Sequence, residues 1–277
     1  MPVDMQTLLA DLADETSCFR DLIVDLDEKG WRTATPAAGW SIADQVSHLA
    51  YFDAAAVRAL TDPSGFLEEK DRFDRANGID PDRIAQRYRD RSGESLLAWF
   101  DDARAQLLEA FSGRTASDRL NWYGPSMSVA SSATARLMET WAHGVDVADA
   151  QGMTVSSSTR LHHIAHLGVG TRSFSFALHG RSDPIAPVRV ELIAPDACRW
   201  AWGPPQAPDL VSGPALDFCL AVTQRRHLDD LALTVEGETA RAWMAIAQAF
   251  AGAAGPGRTP HCRSGRAPTD TGPATPS

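Results

Sequence analysis

The chain has 277 residues, 44% of them hydrophobic, which is enough to bury a sizeable core. Its 36 acidic residues outnumber its 26 basic ones, for a formal net charge of −10, and no basic stripe of the kind that displaces counterions from phosphates is visible, so a nucleic-acid partner is not expected. Residues 1–30 mix acidic and apolar positions without the apolar segment of a signal peptide, and no apolar run approaches the roughly 20 residues of a membrane span, so a soluble cytoplasmic protein is expected.

Residues 4–28 read as an amphipathic helix, with Leu8, Leu12, Phe19, Ile23 and Leu26 near helical spacing. Trp31 to Gly39 reads as a loop punctuated by Pro36 and Gly39. A second helix opens at Ser41, which forms an S-x-x-D capping box with Asp44, and runs to about Leu60. Pro63–Gly65 breaks it, and the charged stretch Glu68–Asp90 reads as a loop with a short helix. A third helix spans 91–112, ending near Gly113. A loop over Asn121–Ser128 leads to a fourth helix at 129–150, and another is expected over 157–178. Four long helices in the first 150 residues form the pattern of a four-helix bundle.

After Pro184 the pattern changes. Val188–Ile193 alternates like a strand, with Arg199–Trp202 as its hairpin partner. Gly213–Arg226 reads as helix, Leu231–Val235 as strand and Glu238–Phe250 as helix. The reading is therefore mainly α with a smaller α+β part: a helical bundle over 1–180 and a small α+β unit over 181–252. The Gly-, Pro-, Ser- and Arg-rich remainder, 253–277, reads as a disordered tail.

Glu139 and His143 sit four apart in E-T-W-A-H, which places both side chains on one helix face. His48 lies in the middle of the second helix, and a third ligand from a facing helix would close a His₂Glu set with open coordination positions, as in catalytic metal sites. Asp146, three residues past His143, is a candidate to orient that imidazole. A competing reading exists. Leu137, Met138, Trp141 and Val145 lie opposite Glu139 and His143, so a helical wheel turns the pair toward solvent, where it is a minor surface interaction. Against that, Ala135, Ala142 and Ala150 flank the polar stripe and would let another helix approach. His48, among Tyr51, Phe52, Ala55, Leu49 and Val46, reads as enclosed.

The segments G-W-S-I-A-D-Q-V-S-H-L-A and E-T-W-A-H-G-V-D-V-A-D-A together resemble the actinobacterial mycothiol-dependent maleylpyruvate isomerase-like proteins of the DinB-like superfamily. The resemblance extends from residue 5 to about 258 and includes G-P-A-L-D-F-C-L-A-V-T-Q-R-R. Arginine almost replaces lysine, which occurs only at Lys29 and Lys70, in keeping with a GC-rich actinobacterial genome. The resemblance implies a DinB-like four-helix bundle with a smaller C-terminal domain. It also implies a divalent metal of the zinc type held by His48, Glu139 and His143. The isomerase holds an acidic substrate with arginines, for which Arg225 and Arg226 are the candidates, with Arg72 and Arg75 as further possibilities.

Other chemistry-bearing residues read as structural. His162, His163 and His166 share one helix, with no carboxylate nearby in sequence to complete a metal set. Cys18 and Cys219 fall among apolar residues and read as small buried hydrophobes. Cys18, Cys198, Cys219 and Cys262 are scattered, as reduced thiols are. Trp200 and Trp202 read as hairpin packing. Two classes of function follow. The first is a metal-dependent thiol transferase or isomerase, in which mycothiol, a low-molecular-weight thiol, attacks a small electrophile. Expulsion of the thiol after rotation gives isomerisation and retention gives an S-conjugate. The alternative is a non-catalytic small-molecule-binding module with a structural metal, or a metal-dependent hydrolase. Monomer and homodimer are both open.

Overall fold

A computed structural model describes residues 4–155, 157–255 and 257–260. Helix α1 (Met5–Asp21) starts at Asp4, whose carboxylate accepts from the Gln6 amide. A single turn, α2 (Glu28–Trp31), follows. Helix α3 (Ile42–Thr61) opens on the expected capping box, Ser41 with Asp44. Helix α3 ends just before Pro63, as expected, but Pro63 is also the first residue of another helix, α4 (Pro63–Arg75). Asp62 caps it through the Gly65 amide, and proline is tolerated at a position whose N–H has no helical partner. Helix α5 (Pro81–Gln86) repeats this arrangement behind Asp80, so much of the charged stretch read as loop is helical.

Helix α6 (Gly93–Ser112) begins where a side chain would not fit. A Cβ on Gly93 would lie 2.2 Å from the Trp31 indole, which is buried against it. The strands β1 (Arg119–Leu120) and β2 (Met127–Ser128) make a short ribbon that delivers the chain to α7 (Val129–Ala150). Helix α3 packs on α6 and α7, and α1 packs on α7, which closes the four-helix bundle.

The helix expected over 157–178 is two, α8 (Leu161–Gly170) and α9 (Arg172–Leu178). Strands β3 (Val188–Ile193) and β4 (Arg199–Trp202) pair antiparallel, with Val190 opposite Trp202. Strand β5 (Asp209–Pro214) runs parallel to β3, and β6 (Thr234–Glu236) antiparallel to β5, giving the order β4-β3-β5-β6. The helical reading of Gly213–Arg226 is corrected here. Gly213 and Pro214 end β5, and α10 (Ala215–Val222) starts only after them. Helix α11 (Glu238–Met244) is shorter than its apolar pattern predicts.

Helix α8 joins the two parts, packing on both α7 and α10. Their approach is close: a Cβ on Gly168 would meet the Val222 side chain at 2.8 Å. One hydrophobic core therefore runs from Leu12 and Leu137 in the bundle through Ile164 to Val190, Phe218 and Trp243 in the α+β unit. A second, smaller core fills the other end of the bundle around Phe19, Trp31, Val46 and Phe100. No described helix is long and apolar enough to cross a membrane. Of the segment read as a tail, 261–277 lies outside the described residues, with Cys262 in it.

Candidate metal centre

Helix α7 is covered on more than one side. It packs on α1, α3 and α8, so the face carrying Leu137 and Trp141 and the face carrying Glu139 and His143 are both turned inward. The helical wheel that turns the polar stripe toward solvent is therefore misleading. His143 is only 7% exposed and His48, across from it on α3, 9%. One ligand atom each from His48, Glu139 and His143 lies within 4.8 Å of the other two, and no other such cluster occurs among the described residues. Glu139 Oε2 is 3.1 Å from His143 Nε2 and 3.7 Å from His48 Nε2.

A chain of hydrogen bonds determines which nitrogen His143 presents. Thr35 donates its hydroxyl to the Trp40 carbonyl at 3.1 Å, and Gln45 Nε2 donates to that hydroxyl oxygen at 2.8 Å. The Gln45 amide is thereby oriented with Oε1 toward His143 Nδ1, which must be the donor. Nε2 is left with its lone pair facing Glu139. Gln45, not Asp146, is thus the group that orients His143. Asp146 is engaged elsewhere, by Arg225 Nε at 3.0 Å and Arg258 Nη2 at 2.6 Å. Gln45 was missed in the sequence, although it precedes His48 by three residues and so shares its helix face.

The rings around the centre are aromatic. Trp40 stacks on His143 at 6.0 Å between centroids, and Phe52 lies 4.6 Å from His48. Burial lowers the pKa of both imidazoles, His143 to about 3, so both are neutral at pH 7. Burial alone would raise Glu139, but the two imidazoles beside it outweigh burial and hold the carboxyl well below its ordinary value. Two neutral imidazoles and one carboxylate with ligand atoms within 4.8 Å of one another are a donor set that suits a divalent ion. The residues present therefore fit such an ion.

Beneath the centre lies a buried charge network. Arg104 Nε is 2.7 Å from Asp53 Oδ2, Arg136 Nε is 3.2 Å from Asp53 Oδ1, and Arg104 Nη2 donates to Thr140 at 2.9 Å. All three charged residues are buried.

Arg225 lines the cavity that reaches His143, together with Trp40, Asp146 and Arg258. Its Nε also donates to the Ala142 carbonyl, one residue before His143. Arg226 points away from the ligands and grips Asp149 with two hydrogen bonds of 2.7 and 2.6 Å. Arg72 and Arg75 are bound to carbonyls of their own helix, Glu68 and Asp71. The histidines of α8 are engaged separately: His163 with Asp11 at 2.8 Å, His166 with the Trp202 N–H at 3.1 Å, and His162 against Trp200. Cys219 is buried, and burial pushes its thiol up; Cys18 is half-buried and takes a hydrogen bond from Arg160.

The fold and the centre define a class: a four-helix bundle with a His₂Glu cluster between two of its helices, joined to a small mixed-sheet unit. The model of the mycothiol maleylpyruvate isomerase N-terminal domain matches residues 12–148, and the chain belongs to that family. It is 43% identical over 259 residues to uncharacterized proteins of Mycobacterium tuberculosis from strains CDC 1551 and H37Rv, covering 92% of this chain and 99% of each relative. Its fold matches the crystal structures of mycothiol-dependent maleylpyruvate isomerase and of a histidine-to-alanine mutant, each at a TM-score of 0.57. Identity to these is 16% and 15%, with 86% of this chain and 96% of theirs covered.

Proposed function

We propose that the chain is a metal-dependent thiol S-transferase or isomerase that uses mycothiol and acts on a small electrophilic substrate. The observation that carries this reading is the convergence of His48, Glu139 and His143 beside a cavity of about 510 Å³ that also contains Arg225. The name of the matched family and of the isomerase sharing its fold supports the thiol. When bound, a zinc-type ion supplies a Lewis acid that stabilises a thiolate at neutral pH.

The protein's residues prepare the site for it. His48, Glu139 and His143 supply one negative charge and two neutral nitrogens, and leave coordination positions for a sulfur. Gln45 keeps the His143 Nε2 lone pair pointed inward. Arg225 brings a positive charge to the cavity wall, where it can hold an acidic group of the substrate. Arg226 acts through it: its double hydrogen bond to Asp149 pins the turn after α10, in which Gln224 takes φ 56, and so aims Arg225 at the cavity.

The test is mycothiol consumption with a panel of Michaelis acceptors and epoxides, comparing the parent protein with Glu139→Gln. That variant keeps size and reach but loses the anionic ligand. Thiol consumption should be lost while circular dichroism is unchanged. Equal consumption by both proteins would exclude metal-activated thiol transfer and favour a binding module.

A further inference from the structure

Past α11 the chain does not leave the molecule at once. At Arg258 it returns to the bundle, where Nη2 lies 2.6 Å from Asp146 Oδ1 and Nη1 donates to the Pro36 carbonyl. Asp146 is one turn beyond His143 and almost fully buried. Its other oxygen is in an ion pair with Arg225, 3.0 Å from Nε. Two guanidinium groups, one from the turn after α10 and one from the C-terminal segment, therefore converge on a single carboxylate at the wall of the cavity that contains His143.

This wall is cationic on balance. Arg225 and Arg258 stand against Asp146, two positive charges to one negative. Arg225 Nη2 and Arg258 Nε have no hydrogen-bond partner among the described residues, so donors remain on both heads. Planar guanidinium forks match carboxylates, and Asp146 shows that these two already meet around a group of that size. A neutral ligand would gain nothing from the excess charge, whereas an anion would.

We infer that Arg258 is a substrate-recognising residue that holds, with Arg225, the carboxylate of a small anionic ligand in the cavity beside His143. The inference rests on the proposed reading of that cavity as the substrate site, and it makes the C-terminal segment part of the site.

The experiment is calorimetric titration of the full-length, zinc-loaded protein with succinate, its neutral analogue succinamide and inorganic phosphate. Succinate should bind and succinamide should not. Arg258→Gln should weaken succinate roughly tenfold or more, and Arg258→Lys should recover part of the loss. Zinc content should remain that of the parent in both variants, showing the centre intact. A chain ended after Gly257 should match Arg258→Gln, which guards against a local effect of the substitution. Succinate affinity unchanged in Arg258→Gln and in the shortened chain would overturn the inference, as would equal binding of succinate and succinamide. Phosphate binding more tightly than succinate would overturn the carboxylate assignment. These readouts are separate from thiol consumption, so the loss of one reading leaves the other measurable.

Discussion

Gln45 Oε1 accepts the Nδ1–H of His143, and its own amide N–H₂ is anchored on Thr35. The proton position on His143 is therefore set from α3, the helix that also carries His48. Groups that orient a ligating imidazole in this way are typically worth about 10–100-fold in metal affinity. Gln45→Leu keeps the volume and removes the acceptor. It should weaken zinc binding by about tenfold or more, measured by competition with a chromophoric chelator, with the circular dichroism spectrum retained. Unchanged affinity would remove Gln45 from any role in the centre.

The ligand set itself is tested by metal content. Purified protein should carry close to one divalent ion per chain, most readily zinc. His48→Ala and His143→Ala should each remove most of it, because two remaining donors bind far more weakly than three. Elemental analysis showing full occupancy in both variants would exclude the cluster as a metal site.

The sequence carried much of this site and some of the fold. The i,i+4 spacing of Glu139 and His143 placed them on one face, and the capping box at Ser41 fixed where α3 begins. What a helical wheel could not show is that α7 has neighbours on several sides, so that a polar face can be buried as deeply as an apolar one. The helix α4 was hidden because Pro63 reads as a breaker unless the first-turn position is recognised. Strand β5 was hidden because Gly213 and Pro214 lie at its end and an apolar helix follows at once. Arg258 lies in a stretch whose composition reads as disordered, and its pairing with Asp146 spans 112 residues of sequence, beyond the reach of any local pattern.

The network under the centre predicts a stability effect. Asp53 is completely buried and faces Arg104 and Arg136, which are 2% and 4% exposed. Asp53→Asn would leave two buried guanidinium groups without a counter-charge. Removing one partner of a buried ion pair costs about 3–5 kcal/mol. Urea unfolding of Asp53→Asn should show a loss of that size, or the protein should fail to fold. Asp74→Asn, which breaks the exposed pair with Lys70, should cost under about 1 kcal/mol. Similar losses in the two variants would show that the buried network carries no special weight.

The metal-free protein should lose stability in mild acid. Burial lowers the pKa of His48 and brings that of His143 to about 3, while an unfolded histidine titrates near 6.5. Between these values the unfolded chain binds more protons than the folded one, so unfolding becomes easier as pH falls. The stability is fully present above about pH 6.5 and declines below it. Glu139 acts in the same direction but lower, because its folded pKa is depressed below that of an ordinary carboxyl, so its contribution is lost only as pH falls below about 4.5. Urea-unfolding free energies at pH 7.5, 6.5, 5.5 and 5.0 therefore cover the histidine range, and comparison with His143→Ala separates this imidazole from the buried carboxyls of Glu15 and Asp146, which burial raises and which act in the opposite sense. His143 alone should cost about 1 kcal/mol between pH 6.5 and 5.5. His143→Ala has no imidazole to protonate at that position, so its profile over the same interval should be flatter than the parent's. Parallel profiles for the two proteins would mean that His143 takes up its proton as readily in the folded state as in the unfolded one, and that the centre does not hold it neutral.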